Sequence, residues 1–268
     1  MERESPGFDP RTPNVARLYD YYLGGKDHFP ADRVAAEKIL KVAPELRAAA
    51  RANRAFLARS VRFLAEAGIT QFLDLGTGLP AQGNVHEVAA KVRQGARVVY
   101  VDRDPVVLVH ARAMLAGQGD TTVVEGDVRD PHQILKNPDV TQAIDFGRPV
   151  GVLLLAVLHY LSESERPQEI VASLRDALAP GSYLVMSHGT GDAARAAAVQ
   201  KATEVYRRAG APLTLRGRAG ITALFEGFDL VRPGVVWLPE WHPEQADLID
   251  FAGGPESSLL LCGVGRRS

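Results

Sequence analysis

The sequence predicts an α/β fold, a doubly wound and mostly parallel sheet of seven strands with an antiparallel C-terminal strand and an N-terminal helical extension. Three observations predict it. Short apolar runs alternate with helical stretches at the lengths of right-handed crossover units. Val150 to Leu155 is almost wholly apolar, as a strand covered on both faces is. The segment from Gln71 to Ala90, QFLDLGTGLPAQGNVHEVAA, reads as strand, glycine turn and helix. Residues 1–68 are expected to be the helical extension, a lid or outer layer, and 69–268 the ligand-binding domain.

The first twelve residues are polar and proline-rich, which suggests a loose start. Val15, Leu18, Tyr19 and Tyr22 then fall at helical spacing until Gly24-Gly25 stops the helix. Pro30 opens a second helix and Pro44 a third, longer one that runs to Gly68. In the sheet region, the first strand breaks at Gly76-Thr77-Gly78. The following helix starts late, near Val85, because Asn84 and Glu87 form a capping-box pair. Arg97 to Asp102 is the second strand, and Asp104-Pro105 caps the next helix, which runs to about Gly117. Thr121 to Glu125 is the third strand, and Asp130-Pro131 starts a short helix. After Val150–Leu155, a Ser162/Glu165 pair caps a helix to Ala179, Tyr183 to Ser187 forms a strand, and a helix runs from about Asp192 to Ala209. Val235–Leu238 and Ser258–Val264 are expected to pair antiparallel at the sheet edge.

An apolar share of 46% with 24% charged residues permits a sizeable core. The net charge of −1 gives no basic field for nucleic acid or an anionic membrane. The single cysteine, Cys262, excludes an intramolecular disulfide. No apolar run approaches the ~20 residues of a membrane span, so a cytoplasmic protein is expected. No two His or Cys residues stand at metal-ligand spacing, and no metal is expected.

Ligands of open α/β sheets bind beyond the carboxyl ends of the strands. Asp74 to Gly78, Asp102, Asp127 and His159 all stand at that edge. Gly76 to Ala81 also fits G-x-G-x-x-A, so a dinucleotide must be weighed. Two features oppose it. The delayed helix start withholds the helix N-terminus that receives a pyrophosphate, and Asp74 places a carboxylate that repels a diphosphate and suits a cation. Asp102 is placed to accept from two ribose hydroxyls, and Asp127 from an exocyclic adenine amine with Val128 against the ring. The bland alternatives are a ligand-free turn and ordinary loop acids, and the capping role of Asp104 explains it by itself.

The segments Asp74-Leu75-Gly76-Thr77-Gly78, Gly126-Asp127-Val128 and Ala156-Val157-Leu158-His159, with Asp102, resemble the successive motifs of class I S-adenosylmethionine-dependent methyltransferases, which have a Rossmann-like fold. NVARLYDYYLGGKDHF from Asn14, ARANRAFLARSVRFLAEAGITQFLDLGTGLP from Ala50 and GSYLVMSH from Gly181 resemble, more narrowly, a bacterial family of predicted S-adenosyl methyltransferases long catalogued as a domain of unknown function. The resemblance covers nearly the whole chain. It departs from the broad class in having Leu79-Pro80 where a third glycine often lies. It implies S-adenosyl-L-methionine as cofactor, with its amino-acid end near Asp74, Gly76, Thr77, Gly78 and Leu79, and its ribose on Asp102. Arg103 and Asp104 would flank ribose and adenine, Asp127 and Val128 the adenine, and Ala156 and Val157 the sulfonium.

Methyl transfer from a sulfonium needs chiefly a nucleophile held in line in a dry pocket, and a base only if the acceptor must lose a proton. Tyr22, His159 and His188 are the candidates for that base, each with a structural alternative. Two functions remain open at this point. One is a methyltransferase acting on a small molecule, and the other is a non-catalytic S-adenosylmethionine-binding regulatory protein, because cofactor motifs show binding and not transfer.

Overall fold

The computed structural model describes residues 9–115, 118, 120–192, 196–208, 211–244 and 254–268. The expected loose start at residues 1–8, the end of the helix expected to reach Gly117, and the irregular stretch at 245–253 lie outside them.

Three helices come first: α1 (Val15–Leu23), α2 (Pro30–Leu40) and α3 (Leu46–Glu66). Asn14 caps α1, its side chain accepting from the amide of Ala16 at 2.8 Å, and Gly24 ends it in the left-handed region at φ 82°. A buried ion pair staples α1 to α2: Arg17 Nε stands 2.8 Å from Asp32 Oδ2. The same carboxylate accepts from the amides of Asn14 and Phe29, and Arg17 Nη2 donates to Thr12 O, so the buried charges are solvated by backbone.

The crossover region follows as β1 (Gln71–Leu75), α4 (Val85–Val92), β2 (Arg97–Asp102), α5 (Pro105–Leu115), β3 (Thr121–Glu125), α6 (Pro131–Lys136), α7 (Pro138–Ala143), β4 (Gly151–Leu155), α8 (Pro167–Ala177), β5 (Tyr183–Gly189) and α9 (Ala196–Arg208). α10 (Arg218–Ala223), β6 (Asp229–Leu230), β7 (Val236–Trp237) and β8 (Leu260–Arg266) complete the chain. The sheet order is β3-β2-β1-β4-β5-β8-β6, with β7 also on β8. β1 to β5 are parallel and β8 is antiparallel to β5. The chain winds outward from β1 to β3, then returns to β4 on the other side, so the switch in strand order lies between β1 and β4.

Three differences from the sequence reading have local causes. The Ser162/Glu165 box does form, with Ser162 N donating to Glu165 Oε2 at 2.8 Å. It closes a 3₁₀ turn, though, because Arg166 takes φ 51° and the α-helix restarts at Pro167. The sheet has eight strands, since the outer edge of β8 is met by two separate two-residue pieces. Pro233 cannot donate to a ladder, and Gly234 turns the chain there by donating to Val231 O at 2.9 Å. α7 and α10 are single short turns whose pattern is too brief to read as helix.

Apolar layers cover both faces of the sheet. Phe56, Val61 and Leu64 of α3 pack with Phe72, Leu153 and Val185 on one face, and Leu73, Val152 and Met186 pack with Ile170 and Leu174 of α8 on the other. α3 is therefore a layer of the sheet sandwich. A third cluster joins α1, α2, α3 and α9 through Leu18, Tyr22, Ile39, Ala50 and Tyr206. Among the described residues no helix is long and apolar enough to cross a membrane.

Candidate functional site

Two cavities open at the carboxyl edge of the sheet. The first, about 1280 Å³ with its mouth, is lined by all twelve residues expected at a cofactor: Asp74, Gly76, Thr77, Gly78, Leu79, Asp102, Arg103, Asp104, Asp127, Val128, Ala156 and Val157. They come from the ends of β1 to β4, and the strand order brings them together.

The glycine turn is built tightly against its neighbours. Gly76 and Gly78 take φ 71° and 67°, a region open to glycine at little cost. A Cβ on Gly76 would stand 2.6 Å from Cγ2 of Val157. The turn's amides are spent on the protein: those of Gly76 and Thr77 donate to Val101 O, and that of Gly78 donates to Asp102 Oδ2 at 2.9 Å. A phosphate nest needs such amides free. The geometry thus adds a reason against a diphosphate at this turn.

Each acid has its own setting. Asp74 is buried, and its only side-chain hydrogen bond among the described residues comes from Thr77 Oγ1 at 2.9 Å. Burial pushes its carboxyl up to about 6 against the opposing pull of Thr77 and Arg54, and a cation placed beside it would bring it down. Asp102 accepts from Gly78 N through Oδ2 and from Asp104 N through Oδ1, and the Arg103 amide also bears on it. Burial raises it as well. Asp104 caps α5 by accepting from Val106 N at 2.7 Å, and its other oxygen takes a hydrogen bond from Asn14 Nδ2. The caps of α1 and α5 are thereby joined across the cleft. Asp127 differs from the rest. Partial burial opposes its ionisation, but Arg129 and Arg103 outweigh that and bring it down to about 2. Its oxygens are already held by these two arginines.

The cleft also contains residues outside the expected cofactor set. Asn14, Val15 and Tyr19 of the α1 segment form its cover, and Asn53 and Arg54 of α3 its wall. Arg54 Nη2 donates to the carbonyls of Gln82 and Gly83, its Nε is buried with no hydrogen-bond partner among the described residues, and its side chain lines the cleft. The only available signal was an arginine on the inner face of a long helix that precedes the glycine turn.

The second cavity, about 900 Å³ with its mouth, is lined by Tyr19, Tyr22, Tyr160, Tyr206 and His159 among mostly apolar neighbours. Tyr22 and Tyr206 share a hydrogen bond at 3.0 Å between their hydroxyls. Burial raises the phenols of Tyr22, Tyr160 and Tyr206. Tyr19, Asn53, Ala156 and Tyr160 line both cavities, so the two meet there. A hydrogen-bonded chain fixes this junction: Asn53 Nδ2 donates to Tyr19 Oη, Ser187 Oγ to Asn53 Oδ1, and the amide of Ala156 to Ser187 Oγ. Ala156 sits at φ 56°, a conformation that costs a non-glycine residue on the order of 1–2 kcal/mol.

The three residues expected to supply a base are placed differently. Tyr22 and His159 line the second cavity. His159 Nδ1 accepts from the amide of Gly189 at 3.1 Å, so in the neutral ring the proton resides on Nε2. Burial first, then His188 and Arg216, hold this ring neutral. His188 lines neither cavity. Its Nε2 accepts from Arg216 Nη1 at 2.8 Å and its Nδ1 donates to Gly189 O at 2.7 Å. Burial lowers it to about 4. Both nitrogens are thus occupied, and the expected position beside the reacting centre is corrected: the end of β5 buries this side chain against Arg216, which also donates to the carbonyls of Leu158 and Leu161.

Comparisons with known proteins agree with this architecture. A protein from Thermobifida fusca YX, described as a candidate methyltransferase, matches over 100% of both chains at 46% identity with a TM-score of 0.91. A DUF574 family protein from Streptomyces avermitilis MA-4680 matches at 39% identity and a TM-score of 0.92, over 97% of this chain and 99% of its own. An O-methyltransferase family protein from Burkholderia thailandensis shares the fold at 16% identity and a TM-score of 0.51, over 85% of this chain and 62% of its own. No curated protein matches. The model of the S-adenosyl methyltransferase family matches residues 1–268, and the chain belongs to that family.

Proposed function

We propose that the protein binds S-adenosylmethionine in the first cleft and transfers its methyl group to a small molecule held in the second cavity. The observation that carries this reading is the meeting of the two cavities at Tyr19, Asn53, Ala156 and Tyr160. A protein that only bound the cofactor would have no need of a second compartment opening on the first. That compartment favours transfer over a purely regulatory role.

The cleft's residues fit the cofactor. Asp74, a buried acid in no ion pair among the described residues, would take its ammonium, and the Arg54 guanidinium, which lines the cleft, its carboxylate. Asp102, which lines the cleft at the end of β2, would accept from the ribose. Asp104, Val128 and the arginine-held Asp127 would border the adenine, and Ala156 and Val157 the sulfonium. When bound, the cofactor supplies a methyl group already activated for displacement. The protein's own work is to orient the acceptor and exclude water, and the Tyr19–Asn53–Ser187 chain makes the junction rigid enough for that.

Calorimetry with S-adenosylmethionine and S-adenosylhomocysteine, followed by radiolabelled methyl transfer into cell-extract metabolites, tests the reading. Saturable binding and a labelled small molecule are expected. Binding without any labelled acceptor would favour the regulatory role, and binding of NAD in place of both sulfur compounds would overturn the cofactor assignment. Asp102→Ala is expected to weaken S-adenosylhomocysteine by roughly 1–3 kcal/mol, the range for losing a charged hydrogen-bond partner. Unchanged affinity would remove Asp102 from the site.

A further inference from the structure

We infer that the second cavity is built for an uncharged aromatic nitrogen compound and that methylation occurs on the nitrogen lone pair, giving a cationic product held among tyrosine rings. This inference rests on the proposed function and names the substrate class of the same site.

Two independent observations lead to it. The first is that no base lies at the junction of the cavities among the described residues. The lone pair of His159 Nδ1 is taken by the Gly189 amide, so Nε2–H is a donor. His188 is locked between Arg216 and Gly189 O and lines neither cavity. Among the described residues Glu45 is the one formally charged residue of the lining. It precedes α3 by one residue, whereas Asn53 marks the junction eight residues on, and at 1.5 Å per residue the two are separated by roughly 12 Å along the helix axis. That distance is too great for proton transfer to the reacting atom. The phenols stay protonated. A hydroxyl acceptor would have to lose a proton with nothing there to take it, and a neutral nitrogen has none to lose.

The second observation is the wall itself. Four tyrosines, Tyr19, Tyr22, Tyr160 and Tyr206, contribute to one cavity, with the Tyr160 and Tyr206 ring centroids 6.4 Å apart and inclined at 55°. Aromatic faces grouped in this way stabilise quaternary nitrogen. Among the described residues no lysine or arginine lines the cavity, so an anionic acceptor finds no partner there and a cation meets no repulsion from them.

The step balances without a proton. The nitrogen lone pair forms the new C–N bond, the C–S bond breaks, its electron pair stays on sulfur, and the positive charge moves from sulfur to nitrogen. His159 Nε2–H, beside Tyr160 at a 4.5 Å ring separation, then serves to donate a hydrogen bond to an oxygen or second nitrogen of the acceptor. It is a positioning contact and not a base.

The test uses the full chain saturated with S-adenosylhomocysteine and three probes of one size: N-methylquinolinium, quinoline and 1-naphthoate. Calorimetry is expected to rank the cation about tenfold tighter than quinoline, with naphthoate weakest. Tyr206→Phe, which keeps the ring, should retain that preference, and Tyr206→Leu should reduce it to less than about threefold. Equal binding of cation and quinoline, tighter binding of naphthoate, or no binding of any probe would each overturn the inference while leaving the cofactor reading intact. So would transfer of a labelled methyl group to 1-naphthol and not to quinoline. Failure of S-adenosylhomocysteine itself to bind would instead overturn the proposed function.

Discussion

The two cavities share a wall yet are made in opposite ways. The first is polar and is formed by the consecutive ends of β1 to β4, where each strand delivers an acid or a glycine to the same edge. The second is nearly uncharged and is assembled from α1, the start of α3, the segment after β4, α9 and the start of β8. In the first, burial is resisted by charges that need partners. In the second, burial is welcomed by rings and methyl groups that need none. The difference locates the cost of the site: Asp74 and Asp102 are paid for by the fold, whereas the tyrosine cavity belongs to the apolar cluster that holds the N-terminal helices in place.

The same difference explains what could be read from the sequence. Parallel-sheet topology makes strand ends converge, so Asp74, Asp102 and Asp127 could be grouped from their places after successive apolar runs. Tyr22 was readable as an aromatic group on a helix. Its neighbour Tyr206 lies 184 positions away, and no local pattern links them. The state of His159 was equally hidden, because it is set by a backbone amide on another strand. Arg54 escaped for a related reason: the contacts that hold it run to the carbonyls of Gln82 and Gly83, 28 and 29 positions on. At the edge of the sheet the expected antiparallel pairing of Val235–Leu238 with the last strand forms as β7 on β8, whereas β6 pairs over only two residues, too few to produce an alternating pattern.

The largest effect is expected where both cavities depend on one contact. Asp32→Ala leaves Arg17 buried without its carboxylate and removes the acceptor for the amides of Asn14 and Phe29. Loss of a partner from such a pair costs about 3–5 kcal/mol. The cost falls on α1, which covers the first cleft and walls the second, and on α2, which packs against it. Hydrogen exchange should show faster opening of residues 15–40, with β1 to β5 unchanged. Uniformly faster exchange over the whole chain would mean that the cover and the sheet unfold as one unit.

A smaller effect separates the cavities by pH. Asp74 has a folded value of about 6 against an ordinary 3.8, so between those values the folded state holds more protons than the unfolded one. Stability from this group is fully present below pH 3.8 and is lost as pH rises through 6, by about 3 kcal/mol in all. His188, lowered to about 4, acts in the opposite direction, gaining stability as pH rises from 4 towards 6.5. The two therefore mask each other in wild type. Comparison of Asp74→Asn with wild type by urea denaturation isolates the acid: wild type should gain on the variant as pH falls from 7 to 4. Binding should run the other way, with S-adenosylhomocysteine weakening below pH 6 in wild type and not in Asp74→Asn. A flat difference between the two proteins would mean that Asp74 is ionised at an ordinary value and does not meet the ligand's ammonium.

The smallest effect is the sharpest, because it divides the first cleft within itself. If Arg54 completes its hydrogen bonding on the cofactor's carboxylate, Arg54→Gln should weaken S-adenosylhomocysteine about tenfold, equivalent to ~1.4 kcal/mol. Methylthioadenosine has the same nucleoside and sulfur but no amino-acid tail, and its affinity should stay within about twofold. Arg54 also donates to the carbonyls of Gln82 and Gly83, so a purely structural role would loosen the loop ahead of α4 and weaken both ligands alike. Only contact with the tail weakens one and spares the other. That outcome would make α3 a binding element as well as a layer of the core, and would explain why Asn53 and Arg54 stand side by side on it, one at the junction of the cavities and the other facing the charged end of the cleft.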